Sequence, residues 1–538
     1  MAVIHDHIVV GSGMTGAHAA ETLVENGRQV LMLDAGVREE RYAPLVPDTD
    51  FLTARETDLE QHRWLLGDRF EGVPWGAAAH TLTPPRQHLI AGSERWLPLE
   101  ARAFQRMESL CYGGLGAGWG AGAAVYTPPE LETMGLDPTR LAEGYATIAK
   151  RIGLAAELDD VTPYCGAGLR ATQPPLAMDG SIARLRAKYA ARRAAFRARG
   201  IAMGKMPMAV LTRDLGERRA TRYTDMEFWA DPEQAVYRPW MTVDALRREP
   251  NFVYEGGRLV TRFSEAADHV AVETLRLDGG AAETFHARRL VLGTGTLGTA
   301  RIVLRSIDRD APLPLLTNGY CIAPCVHVER LGRALERERT SLGQLEMMFD
   351  PGRAGLDVRM VSLYTYRSLL LFKLAKEVPL AFGDARALMH ALVGAVVLAT
   401  INHPDHAAPG KFVRRVPDAN APTGDALAVT HAVTEPERRD NDRAERRILA
   451  ALSLLGCHAL KRQHLPSGAT VHYAGTLPFA DDERPASLAR DGRLAGTRRV
   501  FVADGSGFRY LPANGLTLTL MAQAHLVALG LARRTHDE

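Results

Sequence analysis

A chain of 538 residues is long enough for two or three domains and a large buried core. Hydrophobic residues make up 46% of the chain and charged residues 24%, the composition of an ordinary globular protein. A formal net charge of +2 is too small to give the protein a strong electrostatic field that would attract nucleic acid. We therefore expect no nucleic-acid partner. The most apolar stretch, 387–401, is too short to cross a bilayer, so no integral membrane segment is expected. The first strand begins almost at residue 1, which favours a cytoplasmic protein without a signal peptide.

A strand, a glycine loop and an acidic residue open the chain and predict a dinucleotide site. An apolar strand leads into the string Gly-Ser-Gly-Met-Thr-Gly, a helical stretch follows, and a second strand ends at Asp34. Gly11 permits a tight turn, Gly13 lets the backbone approach a pyrophosphate, and Gly16 lets helix and strand pack closely. The helix N-terminus offers N–H groups to phosphates, and Asp34 is placed to accept from a ribose.

A second glycine string occupies residues 293–298, after the strand-like run 290–292. A second nucleotide domain would need a following strand that ends in an acid, but a loop at 308–312 comes instead. We therefore predict that this strand returns to the first sheet and brings its glycine turn near the same cofactor.

A third cluster of glycines fills residues 113–122 and is too dense for the interior of a helix or strand. The embedded Trp119 and the absence of serine argue against a flexible linker. We expect backbone that lies flat against a bound group.

The middle of the chain, 320–455, has a different pattern. The apolar runs 360–366, 393–401 and 426–433 predict an antiparallel sheet, with helices at 369–376 and 441–455.

The five cysteines predict no disulfide framework. The spacing of Cys321, Cys325 and His327 fits no common zinc pattern, so we expect buried cysteines and no metal.

In this order, these segments resemble the glucose–methanol–choline family of FAD-dependent oxidoreductases, nearest its pyranose-oxidising branch. The resemblance implies an α/β FAD-binding Rossmann-like domain and an α+β substrate domain with a largely antiparallel sheet. The FAD-binding domain would be discontinuous, and the substrate domain would lie between its parts. The expected FAD-binding segments are 1–150, 250–320 and 456–538, and the expected substrate segments are 151–249 and 321–455.

The same resemblance implies a set of residues around the FAD. They are Gly11, Gly13, Met14, Thr15, Gly16, Asp34, Ala35, Gly113, Gly114, Trp119, Gly120, Val260, Gly293, Thr294, Gly295, Asp504, Gly505, Gly515, Leu516 and Thr517. In the branch with covalently bound flavin, a histidine precedes the tryptophan of the glycine loop. Gly118 stands at that place here, so non-covalent FAD is expected.

The family's catalytic histidine lies in a His-x-x-Gly-Thr turn, which corresponds to His472 in His472-Tyr-Ala-Gly-Thr. An unperturbed histidine pKa of about 6.5 suits a base that takes the hydroxyl proton of an alcohol near neutrality. The family's second active-site residue, a histidine or asparagine, corresponds to Asn514, which would hold the substrate oxygen. Asn514 lies five residues before Thr519, whereas three or four is the usual spacing in the family. Gly515 is therefore the alternative for that position.

The leading hypothesis is an FAD-dependent alcohol oxidase or dehydrogenase that uses O2 or a quinone-like acceptor. The apolar runs 369–372, 378–382 and 387–401 suggest a lipophilic substrate, although they would equally form the core of the substrate domain. One alternative keeps the fold but catalyses a desaturation, cyclisation or isomerisation. Another is a flavin-containing electron-transfer protein without a substrate of its own, against which His472 argues.

Overall fold

The computed structural model describes residues 3–38, 41–70, 82–365 and 379–534. Its strands are β1 Ile4–Val10, β2 Val30–Leu33, β3 Leu99–Ala101, β4 Ile201–Gly204, β5 Phe252–Glu255, β6 Arg258–Glu265, β7 Val270–Arg276, β8 Ala282–Leu292, β9 Leu313–Pro314, β10 Leu316–Thr317, β11 Gly319–His327, β12 Leu345–Phe349, β13 Arg359–Thr365, β14 Val396–His403, β15 Asp405–His406, β16 Lys411–Pro417, β17 Asp425–His431, β18 Cys457–Ala459, β19 Gln463–His464, β20 Tyr473–Ala474, β21 Val500–Val502 and β22 Tyr510–Leu511. Its α-helices are α1 Met14–Glu25, α2 Phe51–Thr57, α3 Gln61–Leu66, α4 Ser93–Trp96, α5 Pro128–Met134, α6 Pro138–Ile152, α7 Thr162–Cys165, α8 Gly180–Ala191, α9 Arg193–Arg197, α10 Pro239–Leu246, α11 Thr296–Ser306, α12 Phe382–Leu392, α13 Glu435–Leu454 and α14 Thr517–Ala532. Short 3-10 helices lie at Ala43–Leu45, Pro84–Leu89, Gly114–Gly118, Val328–Arg330 and Gly505–Gly507.

The first sheet has the strand order β5-β2-β1-β8-β7-β6, with β21 alongside β8. The strands β5, β2, β1, β8 and β21 are parallel, whereas β7 and β6 extend the sheet as an antiparallel ribbon. Val9, Met32 and Val291 on the central strands are completely buried and pack with α1 and α14. Burial on both faces explains why these strands are continuous apolar runs. The pairing of β8 with β1 confirms that the second glycine string follows a strand returning to the first sheet.

Close contact between the two glycine turns requires glycine at two positions. Gly11 has φ +96°, and a Cβ there would lie 2.8 Å from the carbonyl oxygen of Gly293. A Cβ on Gly16 would overlap the carbonyl oxygen of Gly11, a main-chain atom that cannot move aside. Gly11 and Gly16 thus act in the tight turn and in helix–strand packing, as the sequence predicted.

Gly16→Ala is expected to destabilise the fold by roughly 1–3 kcal/mol, because the new methyl group overlaps backbone. Gly13→Ala is the matched control, since its Cβ would meet only the Gly113 oxygen at 3.9 Å. The midpoints of urea unfolding of the two apoproteins measure the difference. A Gly16→Ala midpoint equal to that of the control would contradict the packing role.

The second sheet is antiparallel and has the order β18-β11-β14-β13-β12-β4, with β19 also on β11. Alternate residues face opposite sides of the sheet. One face, including Cys321, Val361 and Ala399, packs against α8, α9 and α13. The opposite face is turned toward the first sheet. The predicted antiparallel sheet is therefore present.

Two predicted elements of this region differ in detail. The apolar run 426–433 forms β17, which pairs with β16 and β3 in a separate small sheet rather than with β14. The helix expected at 441–455 begins earlier, as α13, because Thr434 and Glu437 form a capping box at its N-terminus. The helix predicted at 369–376 lies outside the described residues.

The second sheet crosses two of the expected domain limits. Strand β11 begins at Gly319, just before the limit at 320, and β18 and β19 pair with β11 although they follow the limit at 456. The division into FAD-binding and substrate domains stays a prediction.

All five cysteines are buried and free. Within the described ranges, no helix combines the length and the apolar character needed to cross a membrane.

Candidate functional site

A cavity of about 840 Å³ lies between the two sheets. One wall consists of the glycine turns of the first sheet and the carboxyl ends of its strands, and the other consists of β11, β13 and β14. A cavity at the carboxyl ends of parallel strands is the usual place for a nucleotide. Of the residues expected around FAD, all but Gly16 and Gly113 line it.

Bare backbone forms much of the first wall. A Cβ on Gly120 or Gly295 would meet nothing within 4 Å, and one on Gly13 or Gly515 would meet only a single carbonyl oxygen beyond 3.5 Å. These glycines leave room beside the main chain, at positions where a side chain would project into open space. The first wall is therefore shaped to let a ligand approach the backbone closely, as FAD would require.

Asp34 ends β2 and lines the cavity. It accepts hydrogen bonds from the Ser12 hydroxyl at 2.6 Å, the Ser12 amide at 3.2 Å and the Tyr254 hydroxyl at 3.0 Å. Burial raises the pKa of Asp34, and these hydrogen bonds oppose that rise. The sequence singled out Asp34 but not Ser12 or Tyr254, which hold its carboxylate in place.

Asp504 occupies the corresponding position after β21. Its carboxylate accepts from the Thr299 hydroxyl on α11 at 2.6 Å, and from the hydroxyl and amide of Ser506 at 2.6 and 3.0 Å. Burial raises the pKa of Asp504. Thr299 lies in α11, which begins within the second glycine string, so Asp504 joins the C-terminal part of the chain to the segment that carries this string.

The glycine cluster forms a short 3-10 turn, Gly114–Gly118, against the cavity. The amide of Gly113 donates to the Ser12 hydroxyl at 2.8 Å, which fastens this turn to the first glycine loop. A Cβ at Gly118 would overlap the Leu89 side chain, so no larger residue fits there without rearrangement. This turn places main chain along the cavity, and its contact with a bound group stays a prediction.

Two arginines, the buried Arg238 and the partly buried Arg86, hold the same turn by its carbonyl oxygens. Arg86 donates to the carbonyl oxygen of Ala117 and Arg238 to that of Trp119, both at 3.0 Å. Burial lowers the pKa of Arg86 to about 10, so it stays charged near neutrality. No sequence motif indicated either arginine.

His472 lines the cavity immediately before β20 and is partly exposed to it. Its Nδ1 lies 2.9 Å from Oδ1 of Asn318, and burial lowers the pKa of the ring to about 4. Strand β20 pairs with β10, so Tyr473 lies opposite Thr317 and His472 comes next to Asn318. The imidazole is therefore neutral at neutral pH and can accept a proton.

Asn514 differs from its expected placement. The amide nitrogen donates to the Tyr164 carbonyl at 2.8 Å, and the amide oxygen is buried without a partner among the described residues. The side chain is turned toward α7 and does not line the cavity, because its nitrogen is engaged by that carbonyl. Gly515 lies in the cavity wall instead, which is the alternative that the spacing from Thr519 had left open.

The second-sheet wall presents hydroxyl and amide groups between apolar side chains. Its polar residues are Tyr320, Ser362, Tyr364, Thr400 and Asn402, and its apolar residues are Ile322, Pro324, Met360 and Leu398. These are alternate positions on β11, β13 and β14, which places them on one face of the sheet. None of these side chains carries a charge at neutral pH.

Comparison with known proteins establishes the fold. No protein-family model matches the chain, and no curated protein matches it in sequence. Pyridoxine 4-oxidase from Mesorbium loti is similar in structure, with a TM-score of 0.58, 15% identity and coverage of 99% of this chain and 100% of that one. Formate oxidase from Aspergillus oryzae RIB40, from a study of the effect of a mutation on FAD modification, has a TM-score of 0.60, 12% identity and 98% coverage of both chains. The chain therefore has the fold of these two oxidases. This is the fold that the resemblance to the glucose–methanol–choline family implies.

Proposed function

We propose that this protein is an FAD-dependent oxidoreductase that converts the CH–OH group of an alcohol into a carbonyl group. The observation that carries the proposal is the position of His472. Its neutral imidazole lines the same cavity as the glycine turns and Asp34. The same cavity therefore contains a wall suited to a nucleotide and a side chain that can act as a base, and oxidation of a substrate requires both.

The residues expected to hold the cofactor belong to three segments of the chain. The Gly13 loop and the N-terminus of α1 would take the pyrophosphate, and Asp34 the ribose. When bound, FAD supplies an acceptor for the hydride at its N5 atom. We propose non-covalent binding, because Gly118 offers no side chain for a bond to the flavin. Acid denaturation should therefore release all yellow colour from the protein.

In this reaction the protein's own residues remove the hydroxyl proton and orient the substrate. Nε2 of His472 would take the hydroxyl proton, and the carbinol hydrogen would leave as hydride to bound FAD. The alcohol loses two electrons and two hydrogens and becomes an aldehyde or ketone. O2 or a quinone-like compound would serve as the final electron acceptor. Derivatisation of the product with a carbonyl reagent tests this directly, since a desaturation removes the same two hydrogens but leaves the hydroxyl group in place.

The cavity wall supports an uncharged and largely lipophilic substrate. Ile322, Met360 and Leu398 offer apolar contact, and Thr400 and Asn402 offer hydrogen bonds to hydroxyl groups. Among the described residues that line the cavity, none of the charged side chains lies on β11, β13 or β14. We propose a neutral alcohol with an apolar body. Part of the apolar sequence that first suggested such a substrate, 366–378, lies outside the described residues.

The rate of flavin reduction should depend on pH through His472. Because burial lowers the pKa of His472 to about 4, the neutral base is fully present above about pH 5. The anaerobic reduction rate is expected to be constant from pH 6 to 8 and to fall about tenfold per unit well below pH 4. Stopped-flow measurements across this range check the prediction. A fall in the reduction rate with its midpoint near pH 6.5 would mean that His472 is not in this environment during the reaction.

A further inference from the structure

Asn318 lies directly behind His472 and is 1% exposed. Its Oδ1 lies 2.9 Å from Nδ1 of His472. Its amide nitrogen donates to two main-chain carbonyl oxygens, those of His403 and Pro512, both at 2.9 Å. The side chain therefore joins the histidine turn to two other segments of the site.

The two carbonyl partners determine which end of the amide faces the histidine. A carbonyl oxygen can only accept a hydrogen bond, so the atom that faces two of them must be the NH2 group. The amide oxygen of Asn318 then faces His472, and this oxygen also only accepts. Nδ1 of His472 must carry the proton of that hydrogen bond. Since a neutral imidazole has one N–H, Nε2 is left with a free lone pair.

We propose that Asn318 is a positioning residue that holds His472 in the tautomer whose basic Nε2 is available to the substrate. The inference rests on the proposed function of His472 as the base. Proton transfer to Nε2 turns the ring into a cation, and its Nδ1–H then makes a stronger, charge-assisted hydrogen bond to Asn318. Asn318 thus orients the base before the reaction and stabilises its protonated form afterwards.

The surroundings of Asn318 keep it in this orientation. The neighbouring Thr317 donates its amide to Asp405 at 2.9 Å, and β15 pairs with β22 just before Pro512. Asp405 forms an ion pair with Lys411 and also contacts Nε2 of His431 at 3.0 Å. On the other side, Glu445 binds three cationic or ionisable groups, those of His403, His464 and Arg462. Both carboxylates near Asn318 are thus paired, and burial is what lowers the pKa of His472.

Asn318→Leu tests the proposal, because leucine has a similar size but makes no hydrogen bond. The anaerobic rate of flavin reduction is expected to fall about tenfold to a hundredfold. The acid limb of the pH profile should also move to lower pH, since the protonated ring loses its acceptor. Asn251→Leu is the matched control. The Asn251 amide also donates to two main-chain carbonyls, those of Val24 and Arg28, but it faces no histidine. The Asn251→Leu variant should show the acid limb of its pH profile at the same pH as the wild type.

Nitrogen NMR of histidine-labelled protein provides a readout that does not require turnover. The His472 signals are assigned by their loss in His472→Gln. Wild-type protein should show Nδ1 protonated and Nε2 unprotonated, and Asn318→Leu should show a mixture of tautomers. A wild-type ring protonated at Nε2, or an Asn318→Leu variant with unchanged rate and limb, would overturn the inference. Failure of every alcohol to reduce the wild-type flavin would instead overturn the proposed function, while the NMR result still decides the tautomer.

Discussion

His472→Ala is expected to lower the rate of flavin reduction by substrate at least about 100-fold while leaving the bound flavin in place. The alanine variant has no group that can take the hydroxyl proton, and the partly exposed ring at the cavity wall is replaced by open space. None of the contacts that would hold the nucleotide comes from this side chain. Rapid mixing with substrate under anaerobic conditions gives the rate, and the visible spectrum gives the flavin content.

A second buried histidine provides the control for this result. His525 lies on α14, bonds to the Thr22 hydroxyl at 2.7 Å and, like His472, has its pKa lowered to about 4 by burial. It does not line the cavity among the described residues. His525→Ala should therefore reduce its flavin with substrate at a rate near that of the wild type. A His472→Ala variant that is as fast as this control would eliminate His472 as the base.

Gly13→Val is expected to give a folded protein without flavin. In the protein itself, a Cβ at Gly13 would meet only the Gly113 oxygen at 3.9 Å, and φ −67° is accessible to any residue. The valine side chain would instead fill the space above the N-terminus of α1, where we place the pyrophosphate. Absorbance at the flavin band relative to protein absorbance, after reconstitution with excess FAD, measures the loss.

Gly530→Val is the matched control for this substitution, because a Cβ there meets nothing within 4 Å and the residue lies on α14 away from the cavity. This variant should keep a full flavin content. Circular dichroism establishes that both variants are folded. Full flavin loading of folded Gly13→Val would refute the placement of the cofactor at this loop.

The fold around the proposed nucleotide site was predictable because its signals are local. Gly11, Gly13, Gly16 and Asp34 lie within one strand–helix–strand unit, where backbone geometry restricts the residue type. The second glycine string was assigned to the same sheet because no acid-ended strand follows it, and the pairing of β8 with β1 confirms this assignment.

The polar contacts behind these residues were not predictable, because each depends on distant parts of the chain. Tyr254 is 220 positions from Asp34, and Asn318 is 154 positions from His472. Neither belongs to a motif. Asn514 presents a related difficulty, because a family pattern identifies a segment of the chain but does not determine where the side chain points. Its orientation depends on the Tyr164 carbonyl, 350 positions away.

The most direct test of the central claim is anaerobic titration of the purified yellow protein with primary, secondary, sugar and lipophilic alcohols. We expect one class, neutral alcohols with an apolar body, to bleach the flavin band and to yield the corresponding aldehyde or ketone. If dithionite bleaches the flavin but no alcohol does, alcohol oxidation is contradicted. If no flavin band appears even after addition of FAD, the cofactor assignment itself fails.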